Sequence, residues 1–199
     1  MVSEPFGLFA KTHMSVSLAA VKKDYFDSIL LYGFYHRSFG ELLFVGLATW
    51  MFGTELQSMI GLKKWWAIQF LSIITGGLVV ILWDYLFGIS STIHGYHAAI
   101  IGLIAAFCWR KWNDTLYVFT IPLTGKTMLA ACVGLSFVMA LIDKMYVRLG
   151  LDLAGIMWGI LIAGGFFNLR LLRTRYRLWR ARKKLKLVRG PEKKDYGPN

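Results

Sequence analysis

Continuous apolar runs, each close to the length that crosses a lipid bilayer, constrain this chain more than any other feature. About 20 apolar residues in a helix are needed to cross ~30 Å of hydrocarbon. A core helix of a soluble protein keeps a polar face toward water, and these runs have none. The sequence therefore predicts an all-α polytopic transmembrane helix bundle of about five spanning helices, at residues 41–60, 65–87, 89–109, 127–146 and 150–169.

The composition agrees with a membrane protein: 56% of the 199 residues are hydrophobic, and the chain holds 14 Phe and 8 Trp. Its start lacks the basic, apolar and small-residue pattern of a removable signal peptide, so we expect none. Cys108 and Cys132 lie within or beside apolar runs. We interpret both as small hydrophobes rather than as a disulfide or a redox pair.

The C-terminal segment is strongly basic, because 12 of the 23 Lys and Arg residues follow residue 169. The positive-inside rule then predicts a cytoplasmic C-terminus in a plasma or bacterial inner membrane. Leucine and aromatic residues alternate with the basic ones, which favours contact with anionic lipids over nucleic-acid binding. The residues expected to contact lipid headgroups are Arg173, Arg177, Arg180, Lys183 and Lys184.

Three regions follow from these patterns: an N-terminal interfacial segment (1–40), a transmembrane domain (41–169) and a basic cytoplasmic tail (170–199). A sixth span at residues 14–35 would bury four charges, which is costly in lipid. We therefore expect a short interfacial helix there.

Small residues at helical spacing predict which spans pack together. On the third span they are Gly95, Ala99, Gly102 and Ala106, and on the last they are Gly155, Gly159 and Ala163. Such stripes let membrane helices approach closely. The two spans are therefore expected to pack face to face.

Three motifs occur in an order that is characteristic of one family. The segment Phe34 to Leu56 includes a His-x-Ser-Phe sequence and, further on, Trp-x-Phe-Gly. Gly88 to Gly95 contains paired serines, and Asp152 to Gly159 contains two glycines four residues apart. Together they resemble the rhomboid intramembrane serine proteases over residues 34–169. The resemblance implies a rhomboid-like fold without that family's first helix and long following loop.

The resemblance also implies which positions would do the chemistry. Ser90 takes the nucleophile position, and Asp152 takes the place of the catalytic His. Glu41 and Val45 replace the oxyanion-stabilising His and Asn, and His94 stands where the family usually has an aromatic residue. A serine needs a base, and an aspartate is a weak one. An ionised Glu41 would repel an oxyanion, and Val45 offers no donor. These substitutions predict no catalytic residues, and hence a pseudoprotease.

Two alternatives stay open. On a helix Ser90 and His94 would share a face, so His94 could act as the base of a rewired protease. The side chains of Glu41, His94, His97 and Asp152 could also gather and handle ions or a metal. No close metal-binding signature is present, and we predict neither a metal nor another cofactor.

The favoured hypothesis is a non-catalytic rhomboid-like protein that binds other integral membrane proteins through its transmembrane helices, as a subunit, adaptor or chaperone. An apolar surface left uncovered by the missing first helix is the expected docking place.

Overall fold

The computed structural model describes residue 9 and residues 12–118, 121–142, 144–165 and 177–180. Contacts divide the chain into two compact units, Met1–Gly164 and Gly165–Asn199. Within the first unit the order of elements is α1 (Leu18–Val21), α2 (Ser28–Leu31), a 3-10 helix (Tyr32–Phe34), α3 (Phe39–Ile60), α4 (Leu62–Phe87), α5 (His97–Arg110), β1 (Thr115–Val118), β2 (Ile121–Thr124), α6 (Gly125–Ile142) and α7 (Tyr146–Ala163).

Five long helices, α3 to α7, form the bundle, which confirms the predicted all-α membrane fold. Among the described residues, α4, α6 and α7 are long and apolar enough to cross a membrane. Helix α3 has 22 residues, and α5 has 14. At 1.5 Å per residue α5 is about 21 Å long, shorter than the hydrocarbon core.

The predicted start of the third span, residue 89, is wrong. Residues 88–96 form a loop, and α5 begins only at His97. Helix α4 ends because Gly88 adopts a left-handed conformation with φ of 64°, which a glycine takes without strain. Val16 and Ile93 then exchange two backbone hydrogen bonds of 2.9 and 3.1 Å. This pairing holds the loop in an extended conformation at Ile93.

Helices α5 and α7 make the most extensive contact between described helices. The Cα of Gly155 lies against the backbone carbonyl of Ala98, and the Cα of Gly159 lies against that of Gly102. A Cβ added at either glycine would overlap the carbonyl oxygen. Ala99, Ala106 and Ala163 are buried nearby. Gly95 does not belong to this stripe, because it precedes α5 and has a φ of 98°.

Short helices α1 and α2 are packed on the bundle rather than spanning it. Tyr32, which follows α2, is 1% exposed, and its hydroxyl donates a 2.8 Å hydrogen bond to the carbonyl of Ile73 on α4. Gly33 lies against the side chain of the same Ile73. The described part of the N-terminal segment therefore contributes to the core.

An ion pair shows that the C-terminal ends of α3 and α5 lie on the same side of the bundle. Lys111 Nζ, just after α5, lies 2.9 Å from Glu55 Oε1 in the last turns of α3. The hydrogen bond to Glu55 and its charge raise the pKa of Lys111 above its usual range. The β1–β2 hairpin, which the sequence did not predict, follows on this side, with Thr115 paired to Thr124.

Candidate functional site

A cluster of polar side chains lies where α3 and α5 begin and where α7 passes them. It contains Glu41 on α3, His94 and His97 around the start of α5, and Arg148 and Asp152 on α7. Each is close enough to another member to interact electrostatically. We call this group the polar cluster.

Glu41 takes part in capping the N-terminus of α3, the helix to which it belongs. The Ser38 side chain caps α3 by accepting a 3.1 Å hydrogen bond from the Glu41 backbone N–H. In return, Glu41 Oε2 accepts a 2.9 Å bond from the Arg37 backbone N–H. This is a close variant of the capping box, which satisfies two free donors at a helix start. The other oxygen, Oε1, lies beside Gly95. Glu41 thus has a structural role in the polar cluster.

Asp152 and His97 are the buried and the exposed member of a second pair within the polar cluster. Asp152 is 5% exposed. Ser136 on α6 and Arg148, which lies on α7 with Asp152, are the nearby polar and positively charged groups that influence this carboxylate. His97, the first residue of α5, is exposed and lies within electrostatic range of this carboxylate. His97 and Asp152 are therefore ionisable groups on two different helices that influence each other electrostatically.

Ser90 lies elsewhere, exposed on the loop after α4. It borders a cavity of about 250 Å³ together with Leu18, Lys22 and Asp84, and none of the described residues that line this cavity is a histidine. Ser90 and His94 are not on a helix, so the expected four-residue helical pairing does not form. His94 instead packs edge-on against the ring of Tyr35, with ring centroids 5.6 Å apart.

Asp84 is an anchor that the motif comparison did not single out. It is 2% exposed, and its two oxygens accept hydrogen bonds from the backbone N–H groups of Leu18 and Ser91, at 3.2 and 2.9 Å. It thereby ties α1 and the loop to the end of α4. The sequence could have identified Asp84 as a carboxylate within a long apolar run, because ionisable residues inside membrane helices are rare and usually have a role.

A groove of about 490 Å³ lies along α3 and the start of α4. We call it the tryptophan groove, and it is lined by Phe34, His36, Val45, Gly46, Thr49, Trp50, Gly53, Thr54, Gln57, Trp65, Trp66 and Tyr96. Val45 thus lies in an apolar wall. The groove runs beside the polar cluster rather than through it, since only His36 also interacts electrostatically with His97.

Two further sets of predicted residues can be located. In the second unit, Arg177 and Arg180 are exposed on a short helical stretch at residues 177–180, whereas Arg173, Lys183 and Lys184 lie outside the described residues. Within the described part of the chain, no group of three or more His, Cys, Asp or Glu side chains is placed to hold a metal ion. The polar cluster therefore offers no complete metal-ligand set there.

The family follows from a sequence comparison. The sequence model of the family described as "Rhomboid domain" matches residues 23–169. The chain belongs to the rhomboid family. No curated protein and no solved structure matches it. With the apolar helices α4, α6 and α7, the match makes this rhomboid protein an integral membrane protein.

Proposed function

We propose that this rhomboid-family protein does not cleave peptide bonds but binds transmembrane segments of partner proteins, as a subunit, adaptor or chaperone of a membrane complex. The observation that carries this proposal is the position of Ser90, which takes the nucleophile position. Ser90 is exposed on the loop after α4, and the described residues that line its cavity include no histidine.

Acyl transfer by a serine needs a base that removes the hydroxyl proton and donors that stabilise an oxyanion. The cavity that Ser90 borders lacks the family's histidine base among its described residues. Its other described lining residues are apolar apart from Lys22 and Asp84, and both Asp84 oxygens already accept backbone hydrogen bonds. At the family-equivalent positions Glu41 caps α3 and Val45 lines an apolar wall. These contacts support a pseudoprotease.

The tryptophan groove supports binding of a helix. Gly46 lies on the exposed face of α3 within the groove, whereas Gly53 is buried beneath the indole ring of Trp65. A glycine on an exposed helix face lets a second helix approach closely, and membrane helices associate mainly through such packing. A Cβ added at Gly46 would meet no atom within 4 Å, so the groove floor is open at that point.

The basic tail is proposed to lie on the cytoplasmic side and to contact anionic lipids. Leu178 and Trp179 are exposed beside Arg177 and Arg180, which suits a helix whose apolar side chains enter the headgroup region. Anionic vesicles therefore provide a suitable membrane for reconstitution.

Labelling with a fluorophosphonate, which modifies activated serines, tests the absence of catalysis. We expect the purified protein to label at background level, equal to that of Ser90→Ala, because no base activates the hydroxyl. An active rhomboid protease in the same detergent is the positive control. Labelling that Ser90→Ala abolishes would contradict the proposal and support a rewired protease.

A further inference from the structure

A second groove, with a volume of about 620 Å³, lies between α6 and α7. We call it the α6–α7 groove, and it is lined by α6 residues from Lys126 to Phe137, by Leu149 and Leu153 of α7, and by Trp112. Trp112, Phe137 and Leu153 are each at least 40% exposed. Apart from Lys126, the described lining residues are apolar. The groove therefore carries a single charge, at its Lys126 end.

The backbone holds Lys126 and Trp112 together at this end. The N–H of Lys126 donates a 3.1 Å hydrogen bond to the carbonyl oxygen of Trp112, whose ring packs on that of Trp109 with centroids 5.3 Å apart. Lys126 is exposed and takes part in none of the ion pairs of the described residues, whereas Lys111 is paired with Glu55. The Lys126 ammonium group is therefore available to an anion from outside the chain.

The Lys126 end of the groove lies at a basic boundary of the bundle. Lys126 is in the first turn of α6, on the side where α5 ends with Arg110 and Lys111. Lys63 and Lys64 begin α4 on the same side, since α3 ends there. Tryptophan is enriched where hydrocarbon meets the headgroups, and basic residues near that surface attract anionic lipids. This end of the groove thus suits a negatively charged headgroup.

The length of the groove matches an acyl chain rather than a helix. Lys126 and Phe137 are 11 residues apart, which is about 16 Å along α6. One leaflet supplies half of the ~30 Å hydrocarbon core, hence about 15 Å, whereas a spanning helix runs through both leaflets. The groove floor is open at Gly134, where an added Cβ would meet no atom within 4 Å. One chain of a single leaflet therefore fits between Lys126 and Phe137.

We infer that the α6–α7 groove holds one acyl chain of an anionic phospholipid whose phosphate is bound by Lys126. A lysine ammonium binds phosphate as a compact point charge, and the apolar walls bury the hydrocarbon. The site lies on different helices from the tryptophan groove. It therefore does not depend on the proposed function.

Photoactivatable lipids test this inference. The full-length protein is reconstituted in phosphatidylcholine vesicles that contain a small fraction of a probe, either phosphatidylglycerol or phosphatidylcholine, with a diazirine midway along one acyl chain. Crosslinked residues are mapped by mass spectrometry after irradiation. The yield at Val133 to Phe137 and at Leu153 is divided by the yield at Leu78 and Leu82, which are exposed on α4. This groove ratio removes any difference in how well the two probes are incorporated.

The phosphatidylglycerol probe is expected to give a groove ratio about fivefold above that of the phosphatidylcholine probe, the size of one lysine's attraction to anionic lipid. Lys126→Gln should make the two ratios equal. Lys64→Gln removes the same charge from an exposed position on the same side and should keep the difference. Equal ratios in the unaltered protein would overturn the inference. An equal loss in both variants would overturn it too, since it would reflect general surface charge.

A pair of glycine variants tests the position of the chain without changing any charge. Gly134→Leu fills the open groove floor, so groove crosslinks of the phosphatidylglycerol probe should fall at least about fivefold. Gly46→Leu makes the same change at an open glycine on α3 and should leave them unchanged. Groove crosslinks that persist in Gly134→Leu would contradict the inference. A dimeric protein without groove crosslinks would assign the groove to a second copy and contradict it as well.

Discussion

Gly155→Ala and Gly159→Ala are each expected to destabilise the bundle more than any exposed substitution. An added Cβ would overlap the carbonyl oxygen of Ala98 or of Gly102, and these are backbone atoms that cannot rotate away. Helices α5 and α7 would have to separate. Overpacking typically costs about 1–3 kcal/mol, and we expect about 3 kcal/mol for each change. Unfolding in mixed micelles with increasing SDS, followed by circular dichroism, measures the loss.

Gly134→Ala is the matched control, because Gly134 also lies in a long helix but has no atom within 4 Å of an added Cβ. Its free energy of unfolding should change by less than about 0.5 kcal/mol. Unfolding midpoints that are the same for all three variants would show that α5 and α7 are not in backbone contact.

Asp84→Ala is expected to have the second largest effect, by releasing α1 and the loop before α5. The backbone N–H groups of Leu18 and Ser91 would lose their acceptors at a buried position. Each unsatisfied donor costs about 1–3 kcal/mol, so a total of about 2–4 kcal/mol is reasonable. Hydrogen exchange of these two amides should rise well above that of the α4 interior.

Two variants separate the lost acceptors from the lost charge. Asp84→Asn keeps one acceptor oxygen and should lose about half as much stability. Asp114→Ala removes an exposed carboxylate whose contact is a 3.8 Å ion pair with Lys111, and should change stability by at most about 0.5 kcal/mol. Unchanged exchange at Leu18 and Ser91 in Asp84→Ala would mean that the carboxylate does not hold this segment.

The predictable part of the fold is the part that hydropathy determines. The spans predicted at 41–60, 65–87, 127–146 and 150–169 correspond to α3, α4, α6 and α7, because a helix that crosses lipid must be continuously apolar. The loop at 88–96 contains no Lys, Arg, Asp or Glu, so hydropathy alone extended the third span through it. What holds it extended is the pairing of Ile93 with Val16, a contact between residues far apart in the chain that the local sequence does not reveal.

The candidate site was less predictable for the same reason. The motif resemblance gave Ser90 the nucleophile position, but the residue that begins α5 depends on where that helix starts, and this residue is His97, with Ser90 left on the preceding loop. The capping role of Glu41 was readable in principle, since Ser38 and Glu41 stand at capping-box spacing. The packing of the Trp65 indole over Gly53 was not, because it depends on how α3 and α4 meet in three dimensions.

Co-purification of the tagged full-length protein in a gentle detergent tests the central claim that it binds a partner helix through the tryptophan groove. The account predicts a membrane protein at fixed stoichiometry that remains bound with Gly134→Leu and Ser90→Ala and is lost with Gly46→Leu. A well-folded monomer without any such protein, or a partner that Gly46→Leu retains, would contradict it.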